Sequence, residues 1–167
     1  MSTKSFIINL PIITGDQDRR RLRKSFSFGC NLQNAVMGGG WDRVLKMRAT
    51  AEWQTARAMP KSSERTKAFR DLRVRFRLSE YDFHADVAKH RKASGRGHLL
   101  GINECQKLAS RAWISVERHL YNGGSPRFIS SRRGLHSIEG KTNRTGIIWK
   151  ADQQCVTVLQ ARVPCSR

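Results

Sequence analysis

Within residues 19–24 stand Arg19, Arg20, Arg21, Arg23 and Lys24, and a second basic row, Arg70, Arg73 and Arg77, recurs at spacings of three and four. Cations at this density do one kind of chemistry well: they hold phosphate oxygens through charge-assisted, often bidentate hydrogen bonds. Spacings of three and four place the second row on one face of a helix, where three guanidinium groups can track a phosphate backbone. The first row follows Gly15-Asp16, a helix start, and basic charge in the first turns opposes the helix macrodipole unless an anion sits against it. Arg96, in the loop Ser94-Gly95-Arg96-Gly97, and Arg127, next to Phe128, are further candidates. Lys141, Asn143 and Arg144 share a glycine-flanked turn that reads equally as a plain hairpin and as a phosphate grip. Trp149, on a strand beside that turn, is a candidate for stacking on a base.

Other chemistries find little support. Cys30, Cys105, Cys155 and Cys165 form no CxxC pair, and the five histidines are scattered, so no metal-ligand set is visible. The four cysteines read as reduced, partly buried thiols. No Ser-His-Asp arrangement or phosphate-binding glycine loop stands out, and Glu139 and Asp152 read as ordinary turn carboxylates, so no catalytic residue and no cofactor is assigned. The charge is decisive instead. Thirty-two Lys and Arg against 13 Asp and Glu give +19 over 167 residues, strong self-repulsion unless a polyanion neutralises it. The excess is +6, +6 and +7 over residues 1–60, 61–100 and 101–167, which implies a broad basic surface and not a basic tail. The apolar run at the N-terminus is too short for a signal peptide and no stretch approaches a membrane span, so a cytoplasmic, nucleoid-associated location and no membrane partner are expected.

The elements that must position these residues follow from periodicity. Phe6, Ile8 and Leu10 alternate with Ser5, Ile7 and Asn9, predicting a strand closed by Pro11. A helix begins at Gly15-Asp16, Gly38-Gly39-Gly40 breaks it, and a second runs from Trp41 to Met59 before Pro60. A third covers Ser62 to Arg77, with Phe69, Leu72 and Phe76 along its apolar stripe. Ser79-Glu80-Tyr81-Asp82 has the form of a capping box and starts a fourth helix toward Lys92. Asn103-Glu104 signals a fifth, with Leu108, Ala109, Ala112, Trp113, Val116 and Leu120 in helical rhythm until Gly123-Gly124. After Pro126, residues 127–129, 135–138, 146–150 and 154–159 read as short strands.

Ser137-Ile138-Glu139-Gly140-Lys141-Thr142-Asn143-Arg144-Thr145-Gly146-Ile147 resembles a segment of TnpB-like transposon-encoded RNA-guided nucleases and their relatives, the compact type V CRISPR effectors. Leu78-Ser79-Glu80-Tyr81-Asp82-Phe83-His84, Gln106-Lys107-Leu108-Ala109-Ser110-Arg111-Ala112 and Arg127-Phe128 are similar to pieces of the same family. The resemblance implies an α+β fold, a small β-barrel (the wedge domain) with an inserted α-helical recognition lobe. Its first strand would fall in residues 1–12, the lobe in 13–125 and the remaining strands in 126–167. It further implies a guide or scaffold RNA and a target DNA as partners. The nuclease half of such proteins, RuvC-like with a zinc ribbon, has no counterpart here, so magnesium and cleavage would belong to a separate nuclease chain. A guide-independent DNA-binding regulator and a structural RNA-binding protein are the alternatives.

Overall fold

The computed structural model describes residues 13–140, 147–150, 155–158 and 161–164. Five helices account for most of them: α1 (Asp16–Arg48), α2 (Ala51–Ala58), α3 (Ser63–Arg75), α4 (Glu80–Ala93) and α5 (Ile102–Glu117). Three short strands follow, β1 (Ile148–Lys150), β2 (Cys155–Val158) and β3 (Ala161–Pro164), in an antiparallel meander. Ile148 lies opposite Thr157 and Lys150 opposite Cys155, while Cys155 faces Pro164 and Val158 faces Ala161 on the other side of β2. The expected barrel with an inserted lobe is therefore corrected: the described chain is mainly helical, and a three-stranded meander has two open edges where a barrel has none. The strand expected near residues 4–10 lies outside the described residues.

The core forms where α1, α4 and α5 meet. Val36, Met37, Val44 and Met47 from α1, Phe83 and Val87 from α4, and Leu108, Ala109, Ala112 and Val116 from α5 are all essentially free of solvent. Full burial of side chains of this size contributes about 1.5–3 kcal/mol each for the larger ones. Gly40 lies against Phe83 and Arg43 donates to Asp86 at 2.7 Å, joining α1 to α4, while the Ser25 hydroxyl donates to the Leu99 carbonyl beyond α4 at 2.8 Å.

The Gly38-Gly39-Gly40 break does not occur. Each glycine costs a helix about 1 kcal/mol relative to alanine, but the loss is offset by contact: a Cβ on Gly40 would stand 2.1 Å from the Phe83 ring. α1 therefore continues through the triplet to Arg48, and Ala49 and Thr50 make the break instead, Thr50 capping α2 through the Trp53 amide. The capping signal at Ser79 does act, its hydroxyl accepting from the Asp82 amide, and Ser62 caps α3 in the same way through the Arg65 amide. At α5 the N-cap is Gly101, with Glu104 folded back against it.

Two expected strands, 127–129 and 135–138, are irregular. Their polar partners are side chains: Asn34 on α1 donates to the Ile129 carbonyl at 2.7 Å and accepts from its amide at 3.0 Å, and Arg111 on α5 holds the Ser137 carbonyl at 2.8 Å and the Glu139 carboxylate. Residues 127–139 thus form a strap across α1 and α5. The meander places β1 and β2 inside the expected 146–150 and 154–159 segments, with β3 unforeseen. No helix among the described residues is long and apolar enough to cross a membrane.

Candidate nucleic-acid interface

α2 and α3 are short helices joined through Pro60, and their inner faces meet the chain leaving α5. Trp53 is buried at that junction, with Phe69 edge-on at 5.0 Å and Tyr121 stacked on it at 5.9 Å, the rings 11° from parallel. Phe69 and Tyr121 also meet edge to face at 5.2 Å, closing a three-ring cluster. Tyr121 is 43% exposed, so the stack has a partly open end. These rings lie in a groove of about 1030 Å³ between α2 and α3.

The groove has a cationic rim. Arg57, Lys61, Arg65, Arg70 and Arg73 line it, against a single carboxylate, Asp82, which Ser79 and Arg77 already engage. Among the described residues no carboxylate lies within ion-pair distance of Arg57, Lys61 or Arg65. Arg65 instead sits over the Phe69 ring, 5.5 Å from its centre. The field is felt nearby: burial first, and then the charge of Arg57, lower the affinity of Arg48 for its proton. Arg48 is occupied elsewhere, donating to the carbonyls of His119, Leu120 and Asn122 and so tying the end of α1 to the turn that follows α5.

Of the row Arg70, Arg73 and Arg77, only two members serve the groove. Arg70 points along its rim with a loose 3.7 Å pair to the neighbouring Asp71, and Arg73 reaches Glu117 at 3.5 Å while covering the Trp113 ring. Arg77 leaves the row, because α3 ends at Arg75 and Arg77 takes a left-handed φ of 53°. Its guanidinium turns to Asp82 and Asp86 of α4 at 3.4 and 3.5 Å, so the three do not share one face.

The cluster of Arg19, Arg20, Arg21, Arg23 and Lys24 occupies the far end of α1. Arg19 pairs with Asp16 at 3.6 Å; Asp16 and Asp18 offset the macrodipole there; Arg20, Arg23 and Lys24 are exposed and Arg21 is half-buried. At 1.5 Å per residue, Arg20 lies about 42 Å along the helix from Arg48 at the groove end. Arg96 and Arg127 are exposed and stand apart from the groove lining. Trp149 pairs through its backbone with Val156, and Lys141, Asn143 and Arg144 lie outside the described residues. Trp41, Trp53 and Trp113 are committed to packing.

Arg57, Lys61, Arg65 and Tyr121 were missed by sequence reasoning. The signal was present: Trp53, Arg57, Lys61, Arg65 and Phe69 recur every fourth residue. Pro60 disguised it, because a proline splits the run into two helices whose facing surfaces only the fold brings together.

Three further polar groups meet at His84, Ser110 and Glu80. The Ser110 hydroxyl donates to Glu80 and lies 2.9 Å from His84 Nε2. A hydroxyl has one proton and Glu80 takes it, so His84 donates to Ser110 and is not placed as its base. The trio is a clasp between α4 and α5. Among the described residues no group of histidines, cysteines and carboxylates could hold a metal ion.

Compared with protein-family models, curated proteins and solved structures, the chain shows no match. What the groove does is therefore read from its own side chains.

Proposed function

We propose that the chain binds RNA, holding a single-stranded stretch in the groove between α2 and α3 with a base on Tyr121 and phosphates on the cationic rim. The observation that carries this reading is the Trp53–Tyr121 stack, partly open at Tyr121 and flanked by three cations that no described carboxylate balances. A base stacked on an aromatic ring is sequence-tolerant, because every base has a π-face, and the phosphates on either side supply the affinity. A duplex hides its base faces in its own stack, so loops, bulges and unpaired ends are the expected targets. The net charge of +19 supports the same class of partner.

A guide RNA, with a target DNA and a separate nuclease chain as the further partners, is the finer form of the proposal. The wedge barrel that went with it in the sequence reading is not among the described elements, so the guide form rests on segment resemblance and charge alone. Co-purification followed by RNA sequencing tests both levels. One discrete structured RNA supports the guide form; heterogeneous RNA keeps only the general one. Absence of any salt-sensitive affinity for single-stranded RNA would remove the proposal altogether.

A further inference from the structure

A second concavity, of about 590 Å³, lies midway along α1, about 22 Å of helix from Arg48 and outside the groove lining. It exists because the strap 127–139 is fastened at separate points. Phe128 lies over Gly38, Asn34 takes both backbone groups of Ile129, Leu135 packs at Gly29, and Arg111 holds Ser137 and Glu139. Gln33 of α1 is in its lining.

Gln33 is only 9% exposed and its carbonyl oxygen has no hydrogen-bond donor among the described residues. Buried polar groups are nearly always satisfied, and one that is not points to a missing partner. The terminal torsion of a glutamine is soft and twofold, so the amide can turn oxygen or nitrogen to a ligand. Around it stand Phe128, 52% exposed, and Arg133 and His136, both exposed; no described carboxylate pairs with Arg133.

We infer that this pocket takes one nucleobase turned out of the bound strand, adenine best, with its edge on the Gln33 amide, its face toward Phe128 and its phosphate at Arg133. A carboxamide offers an acceptor beside a donor, which matches the exocyclic amine and ring nitrogen of adenine. The pocket would then add base selectivity to a groove that has little. The inference rests on the RNA reading for its biological ligand, but the pocket can be tested without RNA.

The experiment uses the full chain, adenosine 5′-monophosphate and ribose 5-phosphate, with the Gln33 side-chain amide followed by ¹⁵N NMR. The monophosphate is expected to shift that amide and the Phe128 ring signals, and ribose 5-phosphate is not. Gln33→Met, which keeps the volume and removes the unmet acceptor, is expected to weaken the nucleotide at least tenfold while leaving the thermal midpoint unchanged or higher. Equal responses to the two probes would reduce the site to a phosphate contact and overturn the inference, as would unchanged affinity in Gln33→Met. If the wild-type chain binds the nucleotide at Gln33 but no single-stranded RNA, the pocket stands and the groove reading falls.

Discussion

Trp53 and Tyr121 are stacked on one another, yet their burial separates what each substitution should do. Tyr121 is half out in solvent, and its loss removes a stacking face: Tyr121→Ala is expected to cost about 1–3 kcal/mol of RNA affinity with little change in thermal midpoint. Trp53 is buried, and Trp53→Ala is expected to cost about 3–5 kcal/mol of stability by urea unfolding. Cys105 makes a prediction in pH. Burial pushes its thiol from 9.0 up to about 11, Arg91 opposing and Glu104 adding to the rise. The folded chain therefore keeps a proton that the unfolded chain has lost, and the associated stability is complete below pH 9 and lost as pH rises through 11. The loss of stability between pH 8.5 and 11 should be smaller in Cys105→Ala than in the wild type, measured as urea midpoints of both proteins.

At the scale of elements, the glycine triplet separates local from tertiary information. Gly39 is exposed with open space around it, whereas Gly40 abuts the Phe83 ring. Gly39→Ala is thus expected to stabilise by up to about 1 kcal/mol, and Gly40→Ala to destabilise by about 1–3 kcal/mol through overpacking, both read from chemical denaturation. The cap at Ser79 was legible in the sequence because a cap and its amide are three residues apart. The continuity of α1 was not, because what compensates Gly40 is a ring 43 positions later in the chain. The strap misled for a similar reason. Phe128, Ile129, Leu135 and Ile138 carry strand-like apolar spacing, but the backbone between them is held by Asn34 and Arg111, partners that no local pattern announces. The Arg111 hydrogen bond and charge hold the Glu139 carboxyl below its ordinary range. The Arg111–Glu139 contact is therefore present above the usual carboxylate pKa and lost as pH falls through the lowered one, which the Glu139 carboxyl carbon would register by ¹³C NMR as a midpoint below that of the same group in Arg111→Gln.

For the whole molecule, charge was legible and architecture only partly so. The helical block and two of the meander's strands were anticipated, whereas a closed barrel was not found, since closure is a property of strand pairing that short apolar segments do not specify. The distribution of the +19 was also only half readable. Arg77 and Arg111 spend their charge on Asp82, Asp86 and Glu139, while Arg57, Lys61 and Arg65 gather at the groove because α2 and α3 fold against each other. The most direct measurement is the salt dependence of affinity for a fluorescein-labelled single-stranded RNA, in the wild type and in a chain carrying Arg57→Gln, Lys61→Gln and Arg65→Gln together. If these cations neutralise phosphates, the plot of log affinity against log salt should be steep and negative in the wild type and shallower by about two in the triple variant, at roughly 0.7 per phosphate. A slope that is flat in the wild type, or unchanged in the variant, would contradict RNA binding in this groove.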